Sequence, residues 1–168
     1  MLSCGLTNLT PLAMDDDSNR IQLEALSGKL RDLHARVVTV EQAFQPSEKG
    51  LPLLDRLTND PEWAWLRSLS GLIADIDHVL AQKLATKSDD AVVAAHTRGM
   101  LSGEGDLKNH DFMARYVPLL QTDATLASLH GELKGLLKTF PAEPESESER
   151  LHARHQWAMR FKHKMTQS

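Results

Sequence analysis

Seven apolar residues between positions 23 and 44 recur at alternating spacings of three and four residues, and this pattern constrains the fold more than any other. The residues are Leu23, Leu26, Leu30, Leu33, Val37, Val40 and Phe44. Three consecutive heptads place one narrow apolar face along a helix that packs lengthwise against partner helices. The pattern ends at Gln45, because the residue before Pro46 is disfavoured in the α conformation. We therefore predict a long first helix.

Two further segments, residues 65–84 and 126–140, have the same helical period. Asp60 and Asp123 precede them as predicted N-caps, and Pro61 suits a first helical position. The predicted core residues are Trp65, Leu66, Leu69, Leu72, Ile73, Ile76, Val79, Leu80, Leu126, Leu129, Leu133, Leu136 and Phe140. Shorter patterns predict a small helix at 53–57, a helix capped by Ser88, and a helix capped by Asn109 that Pro118 kinks or interrupts. The fold predicted is an all-α antiparallel bundle of four to five helices.

Composition divides the 168-residue chain into four parts. Residues 1–17 are predicted to be disordered or an extension, with the first 13 of them either a disordered extension or a segment foreign to the native protein, and residues 18–140 are predicted to form the bundle. Residues 141–149, PAEPESESE, make an acidic Pro/Ser/Glu linker, and residues 150–168 make a basic amphipathic helix. A single cysteine, Cys4, excludes an intramolecular disulfide and suits the cytoplasm. No apolar run is long enough to predict a transmembrane segment.

The C-terminal segment, residues 150–168, contains five Lys or Arg and no acidic residue. On a helix its apolar residues share one face, namely Leu151, Trp157, Ala158, Phe161 and Met165. Residues 1–142 carry 14 Lys or Arg against 19 Asp or Glu, a net charge of −5. The segment could therefore dock on its own bundle or on a sister subunit, or bind an external partner, or stay disordered. Its cations also suit nucleic acid or an anionic membrane surface.

Trp63 and Trp65 stand two residues apart at the start of a predicted helix. Two such residues point about 200° apart, so they cannot both face the same core. Trp65 belongs to the apolar face, whereas Trp63 points away from it, as Arg67 does. Trp63 either packs on the preceding segment, residues 53–57, or is an exposed anchor for another chain.

The sequence contains one weak metal-binding pattern and no recognised catalytic motif. Asp75 and His78 have the i, i+3 spacing that di-metal bundles use with Glu and His, but they lie off the apolar face; His96 or His130 could add a ligand. The sequence contains no phosphate-binding loop, nucleophile elbow or dinucleotide fingerprint. We therefore predict no cofactor and a non-enzymatic role.

The function predicted is a cytoplasmic protein–protein interaction or regulatory module that could also self-associate as a homodimer. Its candidate interaction residues are Trp63, Arg67, Arg154, Trp157, Phe161, Lys162 and Lys164. The alternative is a bundle that binds a metal, through Asp75 and His78, or a small ligand. A third hypothesis is binding of nucleic acid or an anionic surface through the C-terminal segment, although the net charge of −4 argues against nucleic-acid binding by the whole molecule.

Overall fold

The computed structural model describes residues 13–44, 52–82 and 85–162, with side chains from Asp17 to Arg160 within these ranges. Every regular element in this part of the chain is a helix, so the all-α prediction is confirmed. The elements are α1 (Ala13–Phe44), α2 (Leu53–Asn59), a 3₁₀ helix (Pro61–Leu66), α3 (Arg67–Ala81), α4 (Lys87–Ser102), α5 (Leu107–Thr122), α6 (Ala124–Leu137) and α7 (Glu147–Lys162).

Helix α1 is the central element, because it contacts α3, α4, α5 and α6. The predicted heptad face is the surface that it buries, from Leu23 to Val40. Phe44 is an exception, with 61% of its surface exposed, since it is the last residue of α1. The five helices α1, α3, α4, α5 and α6 form the bundle, in agreement with the predicted four to five.

Polar contacts along α1 show that its neighbours run in the opposite direction. Three of them join α1 to α6 and the residues at its two ends: Gln22 to Thr139, Lys29 to Glu132, and Arg36 to Asp123. As the residue numbers increase along α1, the numbers of their partners in and beside α6 decrease, so the two helices are antiparallel. The same order relates α1 to α3, where Ser27 contacts Asp77 and His34 contacts Ser70. The antiparallel arrangement is therefore confirmed for both pairs.

Asp123, the single residue between α5 and α6, joins three helices. Its carboxylate accepts two hydrogen bonds from the Arg36 guanidinium, at 3.0 and 2.5 Å, and one of 2.7 Å from the backbone N–H of Leu126. The last bond caps α6, as the sequence predicted. The Arg36 guanidinium and then the Leu126 N–H lower the pKa of Asp123. One carboxylate thus starts α6 and fixes its position on α1.

A row of rings fills the space between the 3₁₀ helix, α5 and α6. Trp65 and Phe112 have ring centroids 5.6 Å apart, and Phe112 stacks on Tyr116 at 4.9 Å. The Tyr116 hydroxyl lies 3.1 Å from Nδ1 of His130. Because Tyr116 is fully buried, this hydrogen bond satisfies its one polar group.

Several predicted helix boundaries are wrong. Thr86 rather than Ser88 caps α4, because Thr86 and Asp89 form a reciprocal capping box. Asp106 rather than Asn109 caps α5. Pro118 does not interrupt α5, since it lies in the last turns of a helix that continues to Thr122.

The two ends of the bundle also differ from the predicted division. Helix α1 begins at Ala13, so residues 13–17 are helical, whereas residues 1–12 lie outside the described ranges. Helix α7 begins at Glu147, inside the predicted linker. Glu147 and Glu149 lie in its first turn, where negative charge is favourable. Among the residues described, no helix combines the length and apolar character that crossing a membrane requires.

Truncating the central face of α1 should destabilise the bundle strongly. Leu33 is fully buried, so Leu33→Ala should lower the free energy of unfolding by about 2 to 5 kcal/mol, measured by urea denaturation. Ile21→Ala is the control on the same helix, because the Ile21 side chain is exposed, and it should change stability by about 0.5 kcal/mol or less. Equal losses in the two variants would contradict the central position of this face.

Candidate interaction site

Helix α7, the basic C-terminal helix, packs on the bundle through α4. Trp157 is the main apolar contact, with only 4% of its surface exposed, and Ala153 is partly buried beside it. Of the alternatives that the sequence left open, docking on the chain's own bundle is the arrangement observed in this structure.

The face that α7 buries differs from the predicted one. Leu151 is 59% exposed and Ala158 is also exposed, although both were assigned to the apolar face. The residues turned towards the bundle are Ala153, Trp157 and Arg160, which follow an i, i+4, i+7 spacing. The physical reason is that Arg160 forms an ion pair with Asp89 on α4. The face of α7 turned towards the bundle therefore includes an Arg as well as Trp157.

Two ion pairs hold two of the basic residues of α7, Arg154 and Arg160, within the chain. Arg160 Nη1 lies 2.7 Å from Oδ2 of Asp89 on α4. Arg154 makes a bidentate contact with Glu143, at 2.7 and 2.6 Å, and this pairing lowers the pKa of the Glu143 carboxyl. Arg154 therefore ties α7 to the segment that precedes it, whereas Arg160 ties α7 to the bundle.

Asp89 connects the docking of α7 to the first turn of α4. Its Oδ2 accepts hydrogen bonds from the backbone N–H of Thr86, at 2.7 Å, and from the Thr86 hydroxyl, at 2.9 Å. The same oxygen contacts Arg160. One buried carboxylate thus serves both the capping box and the α7 interface.

Asp90, the next residue, is completely buried. Neither of its carboxylate oxygens has a hydrogen-bond partner among the described residues. Burial, followed by the neighbouring charge of Asp89, raises the pKa of Asp90 to about 7. Near neutral pH this carboxyl therefore changes between a neutral and a charged form inside the protein.

A cleft of about 520 Å³ remains between the first turn of α4 and α7 with its lead-in segment. Asp89, Pro144, Glu149 and Arg160 are among the residues that line it. The helix is therefore anchored at Trp157 and Arg160 without close packing along its whole length.

Trp63, for which the sequence leaves open either packing on residues 53–57 or an exposed anchor, is 1% exposed and so is not available on the surface of this chain. The packing alternative describes it better, because α2 precedes the 3₁₀ helix and the guanidinium carbon of Arg56 lies 5.2 Å from the centroid of the Trp63 ring. Trp65 contacts Phe112 instead. The two tryptophans thus face different surroundings, as predicted, but both are buried.

The other predicted site residues are dispersed. Arg67 is exposed and donates to the Asp60 carbonyl oxygen at 3.1 Å. The side chains of Phe161 and Lys162, and residue Lys164, lie outside the described part of the structure. Asp75 and His78 are partly buried on α3, and His78 Nε2 is 2.9 Å from the Gln82 amide nitrogen. His96 is exposed on α4, and His130 contacts Tyr116. Within the described ranges, no three His, Cys, Asp or Glu side chains are grouped to hold a metal ion.

Sequence reasoning missed Asp89, Asp90 and Glu143, the acidic residues of this site. A signal for Asp89 was present, because Thr86 followed by Asp89 has the spacing of a capping box. No signal marked Asp90 as buried or Glu143 as the partner of Arg154. Comparison of the chain with family models, curated proteins and solved structures finds no match.

The substitution Asp90→Asn should remove a pH dependence of stability. Because the folded-state pKa of about 7 lies above the ordinary value of 3.8, the folded chain holds this proton more tightly, and stability falls as pH rises through this range. Between pH 5 and pH 8, the free energy of unfolding of Asp90→Asn should therefore rise relative to that of the wild type by up to roughly 3 kcal/mol, measured by urea denaturation. Asp32→Asn, at an exposed position of α1, serves as the control. A parallel pH profile for Asp90→Asn and wild type would contradict the assignment.

Proposed function

We propose that the protein is a non-enzymatic interaction or regulatory module that associates with a second helical chain through α7. What carries the proposal is the way α7 packs on α4, where the buried Trp157 ring and the ion pair from Arg160 to Asp89 are its main described contacts. These are groups that bind helices to one another, and the predicted role of the C-terminal helix as an interaction arm is kept.

The connection between α6 and α7 supports an exchange of partners. Residues 138–146 contain no α-helix, and Glu143 within them forms its ion pair with Arg154 of α7. Helix α7 can therefore leave α4 together with its own ion pair. The described contacts that oppose its release include the buried Trp157 ring, the partly buried Ala153 and the ion pair from Arg160 to Asp89.

The acidic end of α4 defines the surface that α7 recognises. A partner must offer an apolar depression for Trp157 and a carboxylate for Arg160, as α4 does with Asp89. A second copy of this chain meets the requirement by construction, since its α4 has the same residues. We therefore propose self-association, with α7 of one copy on α4 of the other, as the simplest form of the interaction.

The two other hypotheses have less support from the described residues. A role of the C-terminal segment in binding nucleic acid or an anionic surface needs free cations, and Arg154 and Arg160 are already paired with carboxylates. A metal-binding role needs more ligands than Asp75 and His78 supply.

Truncation of Trp157 should release α7 while leaving the bundle folded. We expect Trp157→Ala to increase amide hydrogen exchange across residues 147–162 by about 100-fold, because removing a buried Trp side chain costs about 3 kcal/mol. Exchange in α1 and α6 should stay at the wild-type rate. His155→Ala provides the control, because His155 is exposed on the same helix.

Light scattering of the same variants tests the association itself. The wild type and His155→Ala should form a dimer whose fraction rises with concentration into the high micromolar range, whereas Trp157→Ala should stay a monomer of 18.7 kDa. A wild type that remains a monomer at these concentrations would refute self-association. Equal dimerisation by Trp157→Ala would refute the part assigned to α7.

A further inference from the structure

A second surface feature lies away from α7, in an open groove of about 620 Å³. The 3₁₀ helix and the start of α3 form one wall, and α5 forms the other. Its residues are Pro61, Glu62, Ala64, Trp65, Arg67, Ser68, Lys108, Asp111, Ala114 and Arg115. The volume falls within the range of small-molecule sites, roughly 300 to 1,000 Å³.

Three cations line the groove: Arg67 from α3, and Lys108 and Arg115 from α5. Lys108 and Arg115 are seven residues apart, so they lie on one face of α5. None of the three forms an ion pair with a carboxylate in the portion of the chain described. The groove thus contains three cations without an ion-pair partner among the described residues, on a protein whose net charge is −4.

Backbone carbonyls fix both guanidinium groups in place. Arg67 Nη2 donates to the Asp60 carbonyl oxygen at 3.1 Å, and Arg115 Nη2 donates to the Glu62 carbonyl oxygen at 3.2 Å. A guanidinium has five N–H donors, so each keeps further donors for a ligand. Because the side chains are already ordered by these bonds, an anion that binds them loses less conformational entropy.

Trp65 gives the groove an apolar wall, together with Ala64 and Ala114. The Trp65 ring is held by Phe112, with the centroids 5.6 Å apart. Its indole Nε1 is buried and has no hydrogen-bond partner in the described structure. Two carboxylates, of Glu62 and Asp111, also line the groove and limit its net positive charge.

From these contacts we propose that the groove is a binding site for a small organic anion with two or more carboxylate or phosphate groups. Arg67, Lys108 and Arg115 bind the anionic groups, and the wall at Trp65 contacts the body of the ligand. A dianion suits the site because the three cations come from both walls and so can contact separate groups of one molecule. The proposal is independent of α7 and of the self-association proposed above.

Calorimetric titration of the full-length chain with citrate and with fructose 1,6-bisphosphate, at fixed ionic strength, tests the site. We expect saturable binding of at least one of them, and the better ligand distinguishes a carboxylate site from a phosphate site. Lys108→Gln and Arg115→Gln should each weaken binding about tenfold, which corresponds to the loss of about 1.4 kcal/mol per charged contact. Both positions are exposed, so the fold should persist, which thermal melting verifies.

Two further variants distinguish a defined site from general attraction between charges. Lys87→Gln removes an exposed cation at the start of α4 and should leave the affinity unchanged. Asp111→Asn removes a carboxylate of the groove and should tighten binding. The proposal is overturned if neither anion binds at millimolar concentration, or if Lys87→Gln weakens binding as much as Lys108→Gln does.

Discussion

The burial of one face of α1 is the constraint on which the rest of the structure depends. Four helices contact this face or its flanks, and its residues from Leu23 to Val37 are removed completely from water. Since apolar burial is the main favourable contribution to folding, the neighbours of α1 are arranged around it. The polar contacts to α3 and α6 lie at the edges of this face, where they set direction and register.

Two aspartates, Asp123 and Asp89, each connect the start of one helix to a cation of another helix. Asp123 caps α6 and binds Arg36 of α1, and Asp89 completes the capping box of Thr86 at the start of α4 and binds Arg160 of α7. In each case the carboxylate accepts a hydrogen bond from a backbone N–H at the start of one helix and also forms an ion pair with an Arg of another helix. The start of α4 and the docking of α7 are therefore energetically linked, and α6 and α1 are linked in the same way. Asp90 has no such partner among the described residues, and burial is the main cause of its raised pKa.

Helical periodicity and capping residues predicted the features that depend on the sequence of a single helix. The heptad face of α1, the Asp60 and Asp123 caps and the core role of Trp65 follow from local sequence and are present. The buried state of Trp63 and the rotation of α7 depend on what α2 and α4 place opposite them. Helical spacing carries no information on such partners, so Leu151 was assigned to the wrong face. The burial of Asp90 and the pairing of Asp89 with Arg160 could not be predicted for the same reason, although the capping-box spacing from Thr86 did mark Asp89.

The pairing of α1 with α6 has a consequence for synthesis of the chain. Lys29 and Glu132 are 103 residues apart in sequence, and Gln22 and Thr139 are 117 apart. Helix α3 is synthesised earlier and can cover part of the leucine face of α1, but the part that α6 covers stays exposed until residues 124–137 have been synthesised. The nascent protein is thus most exposed to aggregation, and most suited to chaperone binding, in the interval before α6 emerges.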